Sequence, residues 1–204
     1  NKLDEASIIS ENKFSDVNAD DEYAAEIYYL DSMDVMIGDD SGKFHPYDKL
    51  MMKDAVKAVV TMLNYGAEAK RRGGYPVGYM NKASALGLTK GLSKNQNEIL
   101  TADEAVILLA NALNTEMLQQ AFEDGDIVYK TIKGETLLYK AFDCVRGEGY
   151  VTANDKTTLE AVRKGTAGSV VIGGKTFNKG TTDIDKMLGY YVEYYAVESD
   201  SNED

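Results

Sequence analysis

The sequence predicts an α+β protein in two parts, a helical repeat half followed by a small strand-rich, barrel-like domain. Three observations predict it. Apolar residues recur at helical spacing through the first ~115 residues, and that pattern returns with a period near 50. After Asn114 it gives way to short alternating runs typical of strands. The expected division is therefore 1–115 for two helix–loop–helix repeats and 116–204 for the second domain with an acidic tail.

Taken in order, Tyr23, Ile27, Leu30 and Val35 lie near helical spacing, and Gly38 closes the segment. Asp39-Asp40-Ser41-Gly42 has turn composition, and Pro46 stops any helix through it. Between Met51 and Leu63 the apolar positions Met52, Ala55, Val56, Val59, Val60 and Leu63 form one stripe, with Asn64-Tyr65-Gly66 as the stop. The second copy starts at Pro76, which suits a first helical position. Tyr79, Met80, Ala83 and Leu86 form its stripe and Gly87 its end. A further helix opens at Thr101 and carries Ala105, Val106, Leu108, Leu109, Ala112 and Leu113 on one face. Thr101-Ala102-Asp103-Glu104 has the capping-box form, in which hydroxyl and carboxylate each take an orphan backbone N–H.

Beyond Asn114, strands are expected at 126–133, 150–154, 169–177 and 190–197, with short helical pieces at 136–142 and 182–188. Gly173-Gly174 marks a hairpin turn or bulge.

Composition limits the chemistry. The chain has 204 residues, a formal net charge of −12 and one tight basic run, Lys70-Arg71-Arg72, which reads as a solvated turn. Nucleic acid is not expected as a partner, because phosphate binding needs clustered Lys and Arg. A single cysteine, Cys144, excludes an intramolecular disulfide and any zinc site needing two thiolates from one chain. His45 is the only histidine, so a two-histidine metal motif is excluded as well. Asp39-Asp40-Ser41-Gly42 fails the register of an EF-hand loop, and the glycine pairs lack the strand–loop–helix context of a phosphate cradle. No metal or cofactor is expected. No apolar run approaches the ~20 residues of a membrane span. The opening Asn1-Lys2-Leu3-Asp4-Glu5 reads as a mature or trimmed start, and Glu198–Asp204 as a frayed acidic tail. The tyrosine pairs Tyr28-Tyr29, Tyr190-Tyr191 and Tyr194-Tyr195 are expected to pack in the core.

The ordered series Phe14-Ser15-Asp16-Val17, Tyr23-Ala24, Glu26-Ile27, Leu30, Met33, Val35, Gly38 and Gly42-Lys43-Phe44-His45-Pro46 resembles the S-layer-homology family. Its repeats join an FxDV start and an aromatic-Ala helix to a GxxDGxFxP loop and a helix opening TRAE. In the second copy Leu86-Gly87-Leu88, Leu100-Thr101, Glu104 and Asn111-Ala112-Leu113 match the same pattern. The stretches Gly149–Asn154 and Leu188–Val192 look like segments that follow such repeats in clostridial-type surface proteins.

The resemblance implies a secreted, extracellular, non-enzymatic protein held on the cell wall by a wall polysaccharide, and contact with other surface proteins. It assigns glycan contact to Asp16, Tyr23, Lys53 and Glu104. The family commonly has three such repeats; two are visible, with Ile8-Ile9-Ser10 as the stub of a preceding element. The sequence also departs from the pattern at a chemically important point. Thr-Arg of the helix opening is Met51-Met52 in the first copy, and Arg is Ala102 in the second. Neither residue offers the guanidinium fork suited to an acidic sugar. Two alternatives follow: a spacer or protein-interaction module that has lost its ligand, and, from the acid-rich composition alone, an envelope glycan hydrolase.

Overall fold

The computed structural model describes residues 13–159 and 166–197. The Ile8-Ile9-Ser10 stub and the acidic tail lie outside them. Within the first repeat, helices α1 (Ala24–Ser32) and α2 (Met52–Met62) flank the loop that carries Gly42 and Pro46. The short α3 (Gly66–Arg71), then α4 (Val77–Ala85) and α5 (Ala102–Leu113) follow.

Helices α1, α2 and α4 end in one way. Asp34, Asn64 and Gly87 take left-handed backbone angles (φ 56°, 68° and 75°) just past each helix. The next residues, Val35, Tyr65 and Leu88, donate back to Leu30, Val60 and Ala83 at 2.9, 3.0 and 2.9 Å. This is the Schellman closure, which satisfies orphan carbonyls and reverses the chain. It also explains why α1 stops at Ser32 instead of running toward Val35 and Gly38. Asp and Asn enter the left-handed region more readily than other residues with a side chain, so a stop signal need not be a glycine.

The stripe of α2 is buried in full, and Met52, Ala55, Val56, Val59, Val60 and Leu63 join one cluster with Tyr79, Ala83, Leu88, Leu100, Leu108 and Ala112. Helix α5 departs from its expected face. Leu108 and Ala112 are buried, whereas Val106 and Leu109 are 64% and 47% exposed. The basic run at 70–72 is not a free turn. Lys70 and Arg71 form the last turn of α3, where cations complement the helix dipole.

Strands β1 (Glu116–Glu123) and β2 (Asp126–Thr136) form an antiparallel hairpin. Its two-residue loop, Asp124-Gly125, has positive φ at both positions, as the tightest hairpin turns require. The hairpin is tied to the end of α2. Leu118 N–H donates to Leu63 at 3.0 Å, the Asn64 amide donates to Leu118 at 3.0 Å, and the Tyr65 hydroxyl donates to Glu116 at 3.1 Å. The first compact unit consequently runs through Leu137, past the 115/116 boundary suggested by the change of texture.

The second unit starts at Leu138. After α6 (Leu137–Phe142) come β3 (Cys144–Asn154), β4 (Ser169–Ile172), β5 (Lys175–Asn178), a 3-10 turn (Ile184–Met187) and β6 (Tyr191–Val197). The sheet is antiparallel in the order β5-β4-β3-β6. Strand β3 is shared lengthwise: Cys144–Tyr150 pairs with β6, and Val151–Asn154 with β4. A flat sheet would set β5 and β6 roughly 14 Å apart at ~4.8 Å per strand. Yet the rings of Phe177 (β5) and Tyr194 (β6) are 4.8 Å apart, so the sheet curls into a half-barrel whose outer strands are β5 and β6. Val151, Val170 and Ile172 form its core, with Phe177, Leu188, Val192 and Tyr194 packed against them. The tyrosine pairs split between core and surface. Tyr28 is buried, whereas Tyr191 and Tyr195 are exposed, because strand alternation sends them to the outer face with Tyr150; Tyr190, just before β6, is exposed as well.

Candidate functional site

The motif pieces that lie apart in the first repeat are clasped together in space. Phe14 stacks on Tyr28 (5.8 Å between centroids) and against Phe44 (5.4 Å), which seats the start of the repeat on α1 and on the loop. Asp16 accepts the N–H groups of Phe44 and His45, both at 2.8 Å, and Ser15 N–H donates to Gly42 at 2.9 Å. Desolvation pushes the Asp16 carboxyl up, but the two backbone bonds outweigh it, so the group lies below its ordinary value.

Asp39 organises the loop from the other side. One oxygen accepts Ser41 N–H at 2.9 Å and Lys43 N–H at 3.0 Å, and the second meets His45 Nε2 at 2.9 Å. His45 Nδ1 lies 3.7 Å from Asp48. The hydrogen bond to Asp39, with the fields of Asp48 and Asp16, raises the imidazole above its ordinary value, and the same bond holds Asp39 well below the usual carboxylate range.

This arrangement predicts a pH dependence with a definite sign. A histidine whose folded pKa exceeds its unfolded one stabilises fully below about 6.5, and that contribution is lost as pH rises through the folded pKa. Asp39, with a depressed folded pKa, acts in the opposite sense and loses its contribution only in strong acid. The first unit should therefore melt at a higher temperature at pH 6 than at pH 8. The difference should shrink in high salt, because the pair is exposed. His45→Asn, which tolerates the positive φ at this position, should abolish the His45 share. With one histidine in the chain, a single imidazole NMR titration checks the pKa directly; a value at or below 6.5 would rule the clasp out.

The helix opening of the first repeat uses no side-chain cap. Met52 N–H donates to Glu98 at 2.9 Å and Lys53 N–H to Gln96 at 3.0 Å, while Met51 bridges to Ile99. Carbonyls of the second repeat thus satisfy orphan donors of α2. Met51-Met52 can stand where the family pattern has Thr-Arg, because the cap comes from elsewhere and the Met52 side chain goes into the core. The second repeat keeps its own cap. Thr101 N–H and hydroxyl both donate to Glu104 at 2.9 Å, and Glu104 N–H donates to the Thr101 hydroxyl at 3.4 Å.

The four residues expected to contact glycan occupy three places. Asp16 sits in the loop clasp. Tyr23 stands at the start of α1 and is 61% exposed. Lys53 and Glu104 bracket the 94–99 loop, where Lys53 Nζ reaches Asn97 at 3.4 Å and Lys94 pairs with Glu104 at 3.3 Å. The Thr101 N–H bond, with Lys94, lowers the Glu104 carboxyl. Two open grooves of the first unit are lined by none of the four. One, of about 600 Å³, has Lys57, Lys70, Asn64 and Tyr129 among its walls. The other, of about 430 Å³, has His45, Asp48, Lys49 and Lys57. Lys57 serves both and is the charged residue that sequence reasoning missed; its only signal is its position opposite the apolar stripe of α2. Among the described residues no cluster of three or more metal-ligating side chains occurs, and no helix is long and apolar enough to cross a membrane. Cys144 is buried in β3.

Comparison with known proteins places the chain near bacterial surface proteins. It is 26% identical over 196 residues to the "Cell surface protein" of Thermoanaerobacter kivui, covering 95% of this chain and 24% of that one. It is 27% identical over 129 residues to the "Middle cell wall protein" of Brevibacillus brevis, covering 63% and 12%. With the "Surface layer protein" of Brevibacillus choshinensis it shares 28% over 127 residues, covering 62% and 11%. The chain thus spans about a quarter or less of the length of these relatives. No family model matches it, and no solved structure does. The chain is similar to proteins named for the bacterial cell surface, cell wall and surface layer, and none of the three names is that of an enzyme.

Proposed function

We propose that the chain is a non-catalytic module of a secreted bacterial cell-surface protein, whose helical unit, of S-layer-homology type, associates it with cell-wall polysaccharide. One observation carries the reading: Asp16 of the opening motif holds the Phe44 and His45 N–H groups of the loop motif, joining segments 28 and 29 residues apart. Motifs that could each occur by chance are here parts of one joint. In this reading Tyr23 offers a ring for sugar stacking and Lys53 a cation for an acidic substituent. Asp16 and Glu104 act beside them, holding the loop and the helix opening. The names of the three relatives support a surface location.

The test is sedimentation with purified wall sacculi that carry or lack their secondary polymer. Retention only on polymer-bearing walls is expected, and Tyr23→Ala should weaken it several-fold without lowering the melting temperature. A protein that stays soluble with both kinds of wall overturns the glycan reading.

A second reading, a spacer or protein-interaction module without glycan affinity, is favoured by Met52. That residue is 1% exposed and fills the core where the family pattern has an arginine. Absence of retention would select it.

A further inference from the structure

The larger groove of the first unit gathers polar groups that have no partner within the chain. Lys57, Asn64, Lys70, Tyr79, Gln120 and Tyr129 are among its walls. Lys57 is half-buried on α2, and Lys70 stands in the last turn of α3. Neither makes an ion pair among the described residues, although lysine is seldom sheltered without one. Tyr79 is only 2% exposed, yet it reaches the groove, and its hydroxyl is bonded to no described residue. A tyrosine so enclosed ordinarily hydrogen-bonds through that hydroxyl. Gln120 and Tyr129 are paired directly across β1 and β2 and so share one face of the hairpin. The Asn64 amide, donating to Leu118 at 3.0 Å, ties that hairpin to the end of α2 and leaves its own oxygen free to accept.

We propose that this groove binds a sugar unit carrying an anionic group, a carboxylate or a phosphate. Lys57 and Lys70 meet the anion as two point charges. Tyr129, 64% exposed, offers a ring to the C–H face of the sugar. Asn64, Gln120 and the Tyr79 hydroxyl supply donors and acceptors for its hydroxyl groups. The groove volume, about 600 Å³, lies within the roughly 300–1,000 Å³ of small-ligand sites. The net charge of −12 does not oppose an anion here. Exposed charges act over ~8 Å in physiological salt, and the charged side chains lining the groove are Lys57, Lys70 and Asp34, two positive against one negative. A strand-adding peptide is recognised by main-chain hydrogen bonds along a sheet edge, whereas the groups presented here are side chains. Gln120 and Tyr129 belong to the hairpin, outside the repeat pattern, and none of the six residues is among the four assigned to wall glycan. The site therefore does not depend on wall association.

Titration of the whole chain with glucuronate, glucose phosphate, glucose and acetate, followed by amide NMR shifts, tests the proposal. At least one anionic sugar should bind with a millimolar dissociation constant and shift the amides of Lys57, Lys70, Gln120 and Tyr129. Which of the two binds more tightly tells carboxylate from phosphate. Glucose and acetate should each bind at least tenfold more weakly. Lys57→Gln and Lys70→Gln should each weaken binding several-fold and melt as wild type does. Lys90→Gln, at an exposed lysine outside the groove, should change neither. Tyr79→Phe should weaken binding without lowering the melting temperature, because a hydroxyl with no partner adds nothing to the fold. Acetate binding as tightly as the sugars would leave a simple ion site and overturns the proposal. So do glucose binding as tightly, shifts confined to residues outside the groove, and no shift at all. Probe binding by a chain that ignores wall sacculi would count against the wall reading alone; wall retention without probe binding would overturn this one.

Discussion

Gly78→Ala should lower the melting temperature of the first unit by roughly 10 °C, corresponding to about 3 kcal/mol. Helix propensity alone argues the reverse, since alanine is better than glycine inside a helix by about 1 kcal/mol, and Gly78 is the second residue of α4. Sterics decide the sign. A Cβ on Gly78 would stand 2.1 Å from the carbonyl oxygen of Ala69 and 3.2 Å from that of Arg72. Both atoms belong to the backbone of and just beyond α3, so no side-chain rotation relieves the overlap. Either α4 moves away from α3 or the chain between them is redrawn, and either change disturbs Tyr79 and Ala69, which are buried in the main cluster. Gly87→Ala provides the control. It meets nothing within 4 Å, and its strain comes from a φ of +75° alone, for which about 1 kcal/mol is expected. Thermal melts followed by far-UV circular dichroism should rank the two. A Gly78→Ala protein as stable as wild type would mean that the close approach of α3 and α4 is not a fixed feature of the fold.

The second large effect is expected for Met52→Arg, which restores the residue type of the family pattern and should nevertheless unfold the unit. Met52 belongs to a cluster whose other members are apolar apart from the tyrosine hydroxyls. A guanidinium left there without a carboxylate partner costs about 4–5 kcal/mol or more, close to the whole stability of many domains. Met52→Leu, nearly equal in volume, should cost under about 1.5 kcal/mol. Urea melts of the three proteins give the comparison. If Met52→Arg keeps the wild-type midpoint, the side chain has reached water. Its position would then be open to an acidic ligand, and the spacer reading would lose its main support.

How far the sequence reveals this protein depends on the range over which each feature is determined. Helix stripes and caps are local. The face from Met52 to Leu63 and the Thr101–Glu104 box are therefore legible as written, and so is the turn at Gly173-Gly174, where both φ values are positive. Strand β1 is not legible, because Gln119 and Gln120 interrupt any alternation; the clue to its existence is the Asp124-Gly125 pair that turns the hairpin. Asp16 can be singled out as a motif residue. That its two oxygens are occupied by Phe44 and His45 is a tertiary fact. The missing cap at Met51 is likewise supplied by carbonyls more than 40 residues away. The stripe of α5 shows the opposite failure. Its pattern is read correctly as apolar, but Val106 and Leu109 stay exposed, because a pattern does not say which face the fold covers.

The lengthwise sharing of β3 gives the second unit a mechanical character. Cys144, at the start of β3, lies opposite Val197, at the end of β6. Tension applied through the two ends of the unit therefore falls first on that terminal pair. The pairs between β3 and β6 then open one after another toward Tyr150–Tyr191, like a zip, instead of failing together in shear. Each step breaks only one or two backbone hydrogen bonds, so the unit releases length at low force, while the β4–β5 hairpin and its partner stretch Val151–Asn154 lie beyond the first part to give way.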